Sequence, residues 1–339
     1  MNQNGKVDMK FIVGIGISFF LLFFLFRKID LQQLLATLKN LDYRFLAGAI
    51  IVTLVSLSLR AVRWHYLILP QKRAKPSNLL SATIICYMAN NLLPARLGEF
   101  ARAIVFAKKE RLEVSSVFAS LVIDRLFDGF SVLVILVFTF FTVKLPPGME
   151  NIQKGLVTGG YVMLAVYLAV IAFLILLKRS TARTVHVVAV ILRPFPKVLA
   201  EKAVNLLISF ISGLRLPSKS GDFLGIILSS VFIWSTAAWP IDLVLQAFNI
   251  HLPLTASFFI LVFLVFAVMV PASPGYVGTY HAACMYGLMA FAIPKEQALS
   301  VALVVHAIGF FPVILFGFYF LWRDKISFSA LKSIDTDKE

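Results

Sequence analysis

Eight apolar runs, at about 9–28, 44–63, 79–107, 115–143, 156–177, 222–248, 254–293 and 297–322, dominate this chain. A helix that crosses the hydrocarbon core of a bilayer needs roughly 20 apolar residues, so six of the runs fit one crossing each. The other two do not. The run at 79–107 is interrupted at Pro94, and 254–293 is too long for one helix and is cut at Pro271 and Pro274. Proline removes a backbone donor and clashes with the preceding turn. Each interrupted run is therefore expected to be a re-entrant hairpin, two half-helices entering and leaving on one side. Irregular backbone of that kind is tolerated at membrane depth where protein shields it or a cavity reaches it. With 60% of residues hydrophobic, 14% charged and a mean hydropathy of +0.88, soluble classes drop out. The expected fold class is all-α integral membrane, one polytopic domain over 1–339.

The net charge of +15 raises nucleic acid as a partner, but the basic residues flank apolar runs instead of forming one patch, as juxtamembrane charges do. Nucleic acid is rejected. With the N-terminus inside and both interrupted runs as hairpins, 21 Lys and Arg fall inside and 7 outside, leaving Arg60, Arg63, Arg96 and Arg125 within the runs. That bias obeys the positive-inside rule. A full crossing by 79–107 with the C-terminus kept inside would put Lys72, Arg73 and Lys75 outside. The chain thus reads as a multi-pass protein of the cell (plasma or inner) membrane with a cytoplasmic C-terminus. Its first run ends Phe24-Leu25-Phe26-Arg27-Lys28 without a small-x-small cleavage site, so a retained span is expected, not a removed signal.

The same topology divides the chain into half-repeats of about 9–143 and 156–322, each ordered span, span, hairpin, span and entering from opposite sides. Such inverted repeats bring discontinuous helices together at a substrate site. Pro271-Ala272-Ser273-Pro274-Gly275 echoes the Pro-Ala-x-x-Gly of residues 94–98, one copy per hairpin. Between the halves, a cytoplasmic loop at about 178–221 holds an amphipathic stripe of Leu199, Ala203, Leu206, Leu207, Phe210, Ile211 and Leu214. This stripe is expected to lie on the inner interface.

Charges inside the runs carry the functional reading. Arg96, Glu99 and Arg102 recur every three residues and share one helix face. Asp124, Arg125 and Asp128 fall about 14 Å along the fourth run from its inner end. Each would cost roughly 2.5–3.5 kcal/mol unpaired in the bilayer. Together the six form a neutral set expected to be one buried network. Arg125 and Asp128 can pair, whereas Asp124 and Asp128 repel unless another cation intervenes. Arg96 or Arg102 is the candidate phosphate ligand, through its planar guanidinium, assisted by backbone N–H groups after Pro94. Asn90 and Asn91 either meet a polar head group or simply pack the hairpin. In the second hairpin Pro274 and Gly275 allow close backbone approach, with Ser273, Tyr280 and His281 as nearby polar groups. His281 and His306 are candidates for proton transfer or for plain hydrogen-bonded packing. Arg60 and Arg63 are expected to snorkel to the inner interface. Cys86 and Cys284 lie in apolar runs without Cys-x-x-Cys or Cys/His spacing, so neither a disulfide nor a metal site is expected. No phosphate-loop, zinc-protease or nucleophile-elbow motif occurs, and no cofactor is expected.

Residues 90–102, Asn-Asn-Leu-Leu-Pro-Ala-Arg-Leu-Gly-Glu-Phe-Ala-Arg, then Asp124-Arg125 with Asp128, then Ser-Pro-Gly-Tyr-Val-Gly at 273–278, resemble three signatures of one family. It is the flippase-like, lysylphosphatidylglycerol synthase transmembrane-region family. The resemblance implies movement of phospholipids or polyprenyl-linked glycolipids between leaflets, and a stand-alone membrane domain, since no aminoacyl-transferase stretch follows it here. Where the family often has a second Gly and a Glu, this chain has Tyr276 and His281. The expected activity is translocation, without ATP, of a lipid with an anionic head group, the bilayer being the medium and a homo-oligomer or a synthase a possible partner. The alternatives are a head-group transferase using Asp124 or Glu99 as base, and a non-catalytic partner of a lipid-modifying or glycan synthase.

The charge bias generates a direct test. Cysteines placed at 75, 110 and 200 should be labelled from the inside and one at 148 from the outside; outside labelling at 75 rejects the first hairpin.

Overall fold

A computed structural model describes residues 39, 41–93, 97–143, 150–192, 194, 196–269 and 274–326. Among them the elements are α1 (Tyr43–Ile68), α2 (Pro76–Leu92), α3 (Gly98–Glu110), α4 (Val114–Thr142), α5 (Glu150–Arg179), α6 (Thr181–Ile191), α7 (Lys197–Gly213), α8 (Ser220–Ala247), α9 (Leu254–Met269), a 3₁₀ turn (Pro274–Tyr276), α10 (Thr279–Met289) and α11 (Lys295–Arg323). The chain is an all-α multi-pass membrane protein. Helices α1, α8 and α11 and residues 157–179 of α5 are long and apolar enough to cross a bilayer. Helix α4, at 29 residues, matches them in length but carries Asp124, Arg125 and Asp128. The run at 9–28 and the residues Pro94, Arg96, Pro271 and Ser273 lie outside the described residues.

Both interrupted runs are helix pairs. Pro76 starts α2 at the position where its missing N–H costs nothing. The helix stops at Leu92, two residues before Pro94, as the restriction on residues preceding proline requires. Helix α3 then returns to where α2 began: Glu110, its last residue, accepts from the Lys75 backbone N–H (3.2 Å) and from Asn78 Nδ2 (2.7 Å). At the closed end Asn90 Oδ1 accepts from Gly98 N–H (2.9 Å). A Cβ at Gly98 would fall 2.1 Å from the Cys86 carbonyl oxygen, so only glycine lets the two helices approach this closely. In the second pair, Gly287 of α10 faces Ile260 of α9.

Helix α1 packs along α8, the hairpin α2/α3 packs on α11 and α4 respectively, and α9/α10 packs on α4 and α11. Two apolar cores follow, one around Trp64, Leu67, Met88 and Phe106, the other around Ile233, Ile260, Leu288 and Val301. The polar ends are pinned. Gln71 Nε2 donates to the carbonyls of Ser116 and Gly213 (3.1 Å each), joining the end of α1 to α4 and α7. Asp324, after α11, takes Lys109 of α3 and the Ser81 hydroxyl of α2. Burial pushes the Glu110 carboxyl up, but Asn78, the Lys75 N–H and Lys72 (3.2 Å) outweigh it and hold it below the ordinary carboxylate value.

The expected amphipathic stripe divides. Ile211 and Leu214 are buried and Leu207 and Phe210 half-buried in the first core, whereas Leu199 and Leu206 remain exposed. The C-terminal half of α7 is thus part of the helical core, packed on the start of α4, and only its N-terminal half presents an apolar face outward.

Because the α2/α3 hairpin closes through Gly98, Gly98→Ala should lower stability by about 1–3 kcal/mol through overpacking. Thermal unfolding in detergent measures this, with Gly221→Ala, whose Cβ would meet open space, as the control.

Candidate functional site

Asp124 and Asp128 are one turn apart on α4 and face α1, where a single arginine separates them. Arg63 is fully buried; its Nε lies 2.7 Å from Asp124 Oδ1 and its Nη2 2.8 Å from Asp128 Oδ1. The same guanidinium donates to the Asp124 carbonyl (3.3 Å) and to Ser230 Oγ on α8 (3.4 Å). Arg60, one turn earlier, reaches Asp128 Oδ1 at 3.5 Å and sits 5.4 Å from the Tyr87 ring centroid and 5.6 Å from that of Trp234. The expectation that Arg60 and Arg63 snorkel to the interface is therefore corrected. Two like charges a turn apart demand a cation between them, and α1 supplies it.

Arg125 closes the other side. Its Nη1 lies 3.0 Å from Asp128 Oδ2 and 3.8 Å from Glu99 Oε1, and its Nη2 3.3 Å from Asp124 Oδ2. Arg102, brought by α3, puts Nη1 3.3 Å from Asp124 Oδ2 and stacks its guanidinium 4.0 Å from the Trp64 ring centroid. The Trp64 indole is itself fixed by Ser120 Oγ at 3.0 Å. Five of the six charges expected to form a network thus meet, and Arg96 lies outside the described residues. The cluster that forms is not neutral. Four arginines, 60, 63, 102 and 125, face three carboxylates, Glu99, Asp124 and Asp128, and Arg102 keeps Nε and Nη2 buried without a partner among the described residues. Such an arrangement can hold one more anion.

Around this cluster, Asn90 is committed to the hairpin through Gly98, and Cys86 Sγ donates to Glu99 Oε2 (3.3 Å). Asn91, half-buried, marks where the two helix breaks meet: a Cβ at Gly275 would lie 3.4 Å from the Asn91 carbonyl oxygen and 2.8 Å from the Phe310 ring. Pro274 opens the 3₁₀ turn, and Gly275 (φ 70°), Tyr276 (φ 56°) and Gly278 (φ 92°) give it a left-handed backbone. For Tyr276 that conformation costs about 1–3 kcal/mol. The turn is held by histidines. His306 Nε2 is 2.8 Å from the Gly275 carbonyl, His306 Nδ1 is 2.9 Å from His281 Nε2, and His281 Nδ1 accepts from Gly278 N–H at 3.4 Å. Tyr280 stacks on the His306 ring at 4.8 Å. Sequence reasoning missed the joining of His281 to His306 and the membership of Arg60, Arg63 and Trp64. For Arg63 the signal was present, since the two aspartates on one face lacked a cation of their own.

A profile of the lysylphosphatidylglycerol synthase TM region matches residues 11–317. Glycosyltransferase AglD of Haloferax volcanii is 25% identical over 304 residues, covering 83% of this chain and 49% of that protein. The UPF0104 membrane protein PH1989 of Pyrococcus horikoshii is 24% identical over 345 residues, covering 96% of this chain and 99% of that protein. The chain thus spans about half the length of the first relative and nearly all of the second. No solved structure is matched.

Removing Arg63 takes away the buried cation that lies between the two aspartates, so Arg63→Ala should cost about 3–5 kcal/mol of stability, and Asp124→Asn in the same chain should restore part of it. Arg125→Ala should cost less, because Arg63 still separates the carboxylates. Equal melting losses for the two single variants would reject Arg63 as the central cation.

Proposed function

We propose that this chain, which belongs to the lysylphosphatidylglycerol synthase transmembrane-region family, moves a lipid with an anionic head group between leaflets without hydrolysing ATP. One observation carries the reading: the excess arginine charge at the closed end of a broken helix pair, with two Arg102 donors buried and unpaired. A buried donor without a partner is costly, and a phosphate oxygen relieves that cost while cancelling the excess charge. The same α4 that bears Asp124 and Asp128 also lines, further along, an apolar groove of about 360 Å³ with Leu136, Phe140, Gly160, Tyr161 and Phe259. A charged site and an apolar groove on one helix suit an amphiphile. Arg102, with Arg96 after Pro94, takes the phosphate; Arg125 and Glu99 form the mouth; Arg63 holds the two aspartates apart.

The packing supports an inverted repeat as the transport frame. Helix α1 packs along α8, its counterpart, and α2 packs on α11 as α9 packs on α4. Both helix pairs are read as re-entrant, with the C-terminus cytoplasmic. Rocking of the halves about the α1/α8 seam exposes the site alternately. A second reading, a membrane partner of a glycosyltransferase, is favoured by the AglD match, which covers 49% of that protein's length.

The test reconstitutes the protein in liposomes with fluorescent anionic and zwitterionic lipids and an impermeant quencher. Wild type should speed equilibration of the anionic lipid, and Arg102→Lys and Arg96→Lys, which keep charge but lose the planar fork, should slow it by about tenfold or more. Unchanged rates in both variants remove these arginines from the site. A new lipid species formed with a supplied donor would point to the transferase, and acceleration of neither lipid would leave the partner reading.

A further inference from the structure

The histidine relay that holds the second break has one consistent set of hydrogens. A carbonyl only accepts, so His306 Nε2 carries the hydrogen it presents to Gly275 (2.8 Å). A neutral His306 then has a bare Nδ1, which accepts from His281 Nε2–H (2.9 Å). That leaves His281 Nδ1 bare, as the facing Gly278 N–H (3.4 Å) requires. Three hydrogen bonds run in one direction, from the Gly278 amide through both rings to the Gly275 carbonyl, and they span the left-handed turn between those residues.

We propose that the His281–His306 pair is a proton-binding site that holds both ends of the Gly275–Gly278 turn while both rings are neutral and lets go of its Gly278 end when either ring is protonated. A proton from water has two places to bind, and both break the same contact. On His281 Nδ1 it opposes the Gly278 N–H directly. On His306 Nδ1 it forces the hydrogen of His281 from Nε2 to Nδ1, where it again opposes Gly278 N–H. The turn, then held through Gly275 alone, carries Tyr276 at φ 56° and lies against Asn91 at the end of α2, so loosening its Gly278 end reaches the break beside the arginine cluster.

Among the described residues no ion pair competes for the added charge. Of the elements packed on the pair, α9 has no titratable side chain, α10 adds Tyr280, Cys284 and Tyr286, and α2 adds Cys86 and Tyr87. On α11 itself Lys295, Glu296, Tyr319 and Arg323 lie about three turns or more from His306. Helices α1 and α8 also touch α11, but Arg60 and Arg63 are taken by the α4 aspartates, and Asp242 accepts from Gln246 at 2.7 Å. The inference is independent of the lipid reading, and its readout needs no transport.

Hydrogen exchange of the full chain in lipid nanodiscs, followed by mass spectrometry from about pH 8 to about pH 4.5, brackets the ordinary imidazole range. After correction for intrinsic exchange, amides 275–283 should lose at least about tenfold protection on acidification while α1 and α8 keep theirs. His281→Gln and His306→Gln should each abolish the pH dependence. Constant protection of the turn, loss shared with α1 and α8, or a transition that survives in both variants overturns the proposal. Should the variants fail to fold, ¹⁵N spectra of the wild-type histidines decide: two rings still neutral at the acid end overturn it equally.

Discussion

The buried charge cluster of this protein depends on Arg63 lying between Asp124 and Asp128. Two carboxylates a turn apart in an apolar helix are tolerable only if a cation separates them, and here it comes from a different helix and is wholly buried. The tie therefore fixes α1 to α4, and through Ser230 it reaches α8 as well. Since α1 and α8 also pack along each other, the pair is both the electrostatic solution for α4 and a structural reference for the hairpins that flank it.

From that reference the excess charge follows. Arg63 uses its donors on the aspartates, Arg125 bridges Asp124, Asp128 and Glu99, and Arg102, arriving on α3, reaches only Asp124 Oδ2. Its stacking on Trp64 holds the guanidinium without satisfying it, because a ring face balances charge but accepts no in-plane hydrogen bond. A network meant only to lock helices would be expected to balance; among the described residues this one ends in unpaired donors beside a helix break.

The sequence made the helical runs, the two interrupted segments and most of the charged residues legible, because hydropathy and proline act locally. What it hid was which helix answers which. Arg60 and Arg63 sit about two turns and about one turn from the end of α1, where snorkelling is the local solution, and only the packing of α1 on α4 turns them inward. Likewise Ile211 and Leu214 continue a surface stripe by periodicity, yet the turn after α7 sets them against α4. His281 and His306, on separate helices, become a pair only when the hairpin docks on α11.

The two breaks also differ in what holds them. The first is closed by Asn90 and a glycine pressed on backbone, contacts that do not respond to pH or to charge nearby. The second is closed by imidazoles over a left-handed turn, with bonds that depend on which ring nitrogen bears a hydrogen. With one fixed and one adjustable break, the arginine cluster is tied to its α1/α4 frame, while the Gly278 end of the turn is the side whose bond depends on the hydrogens of the rings.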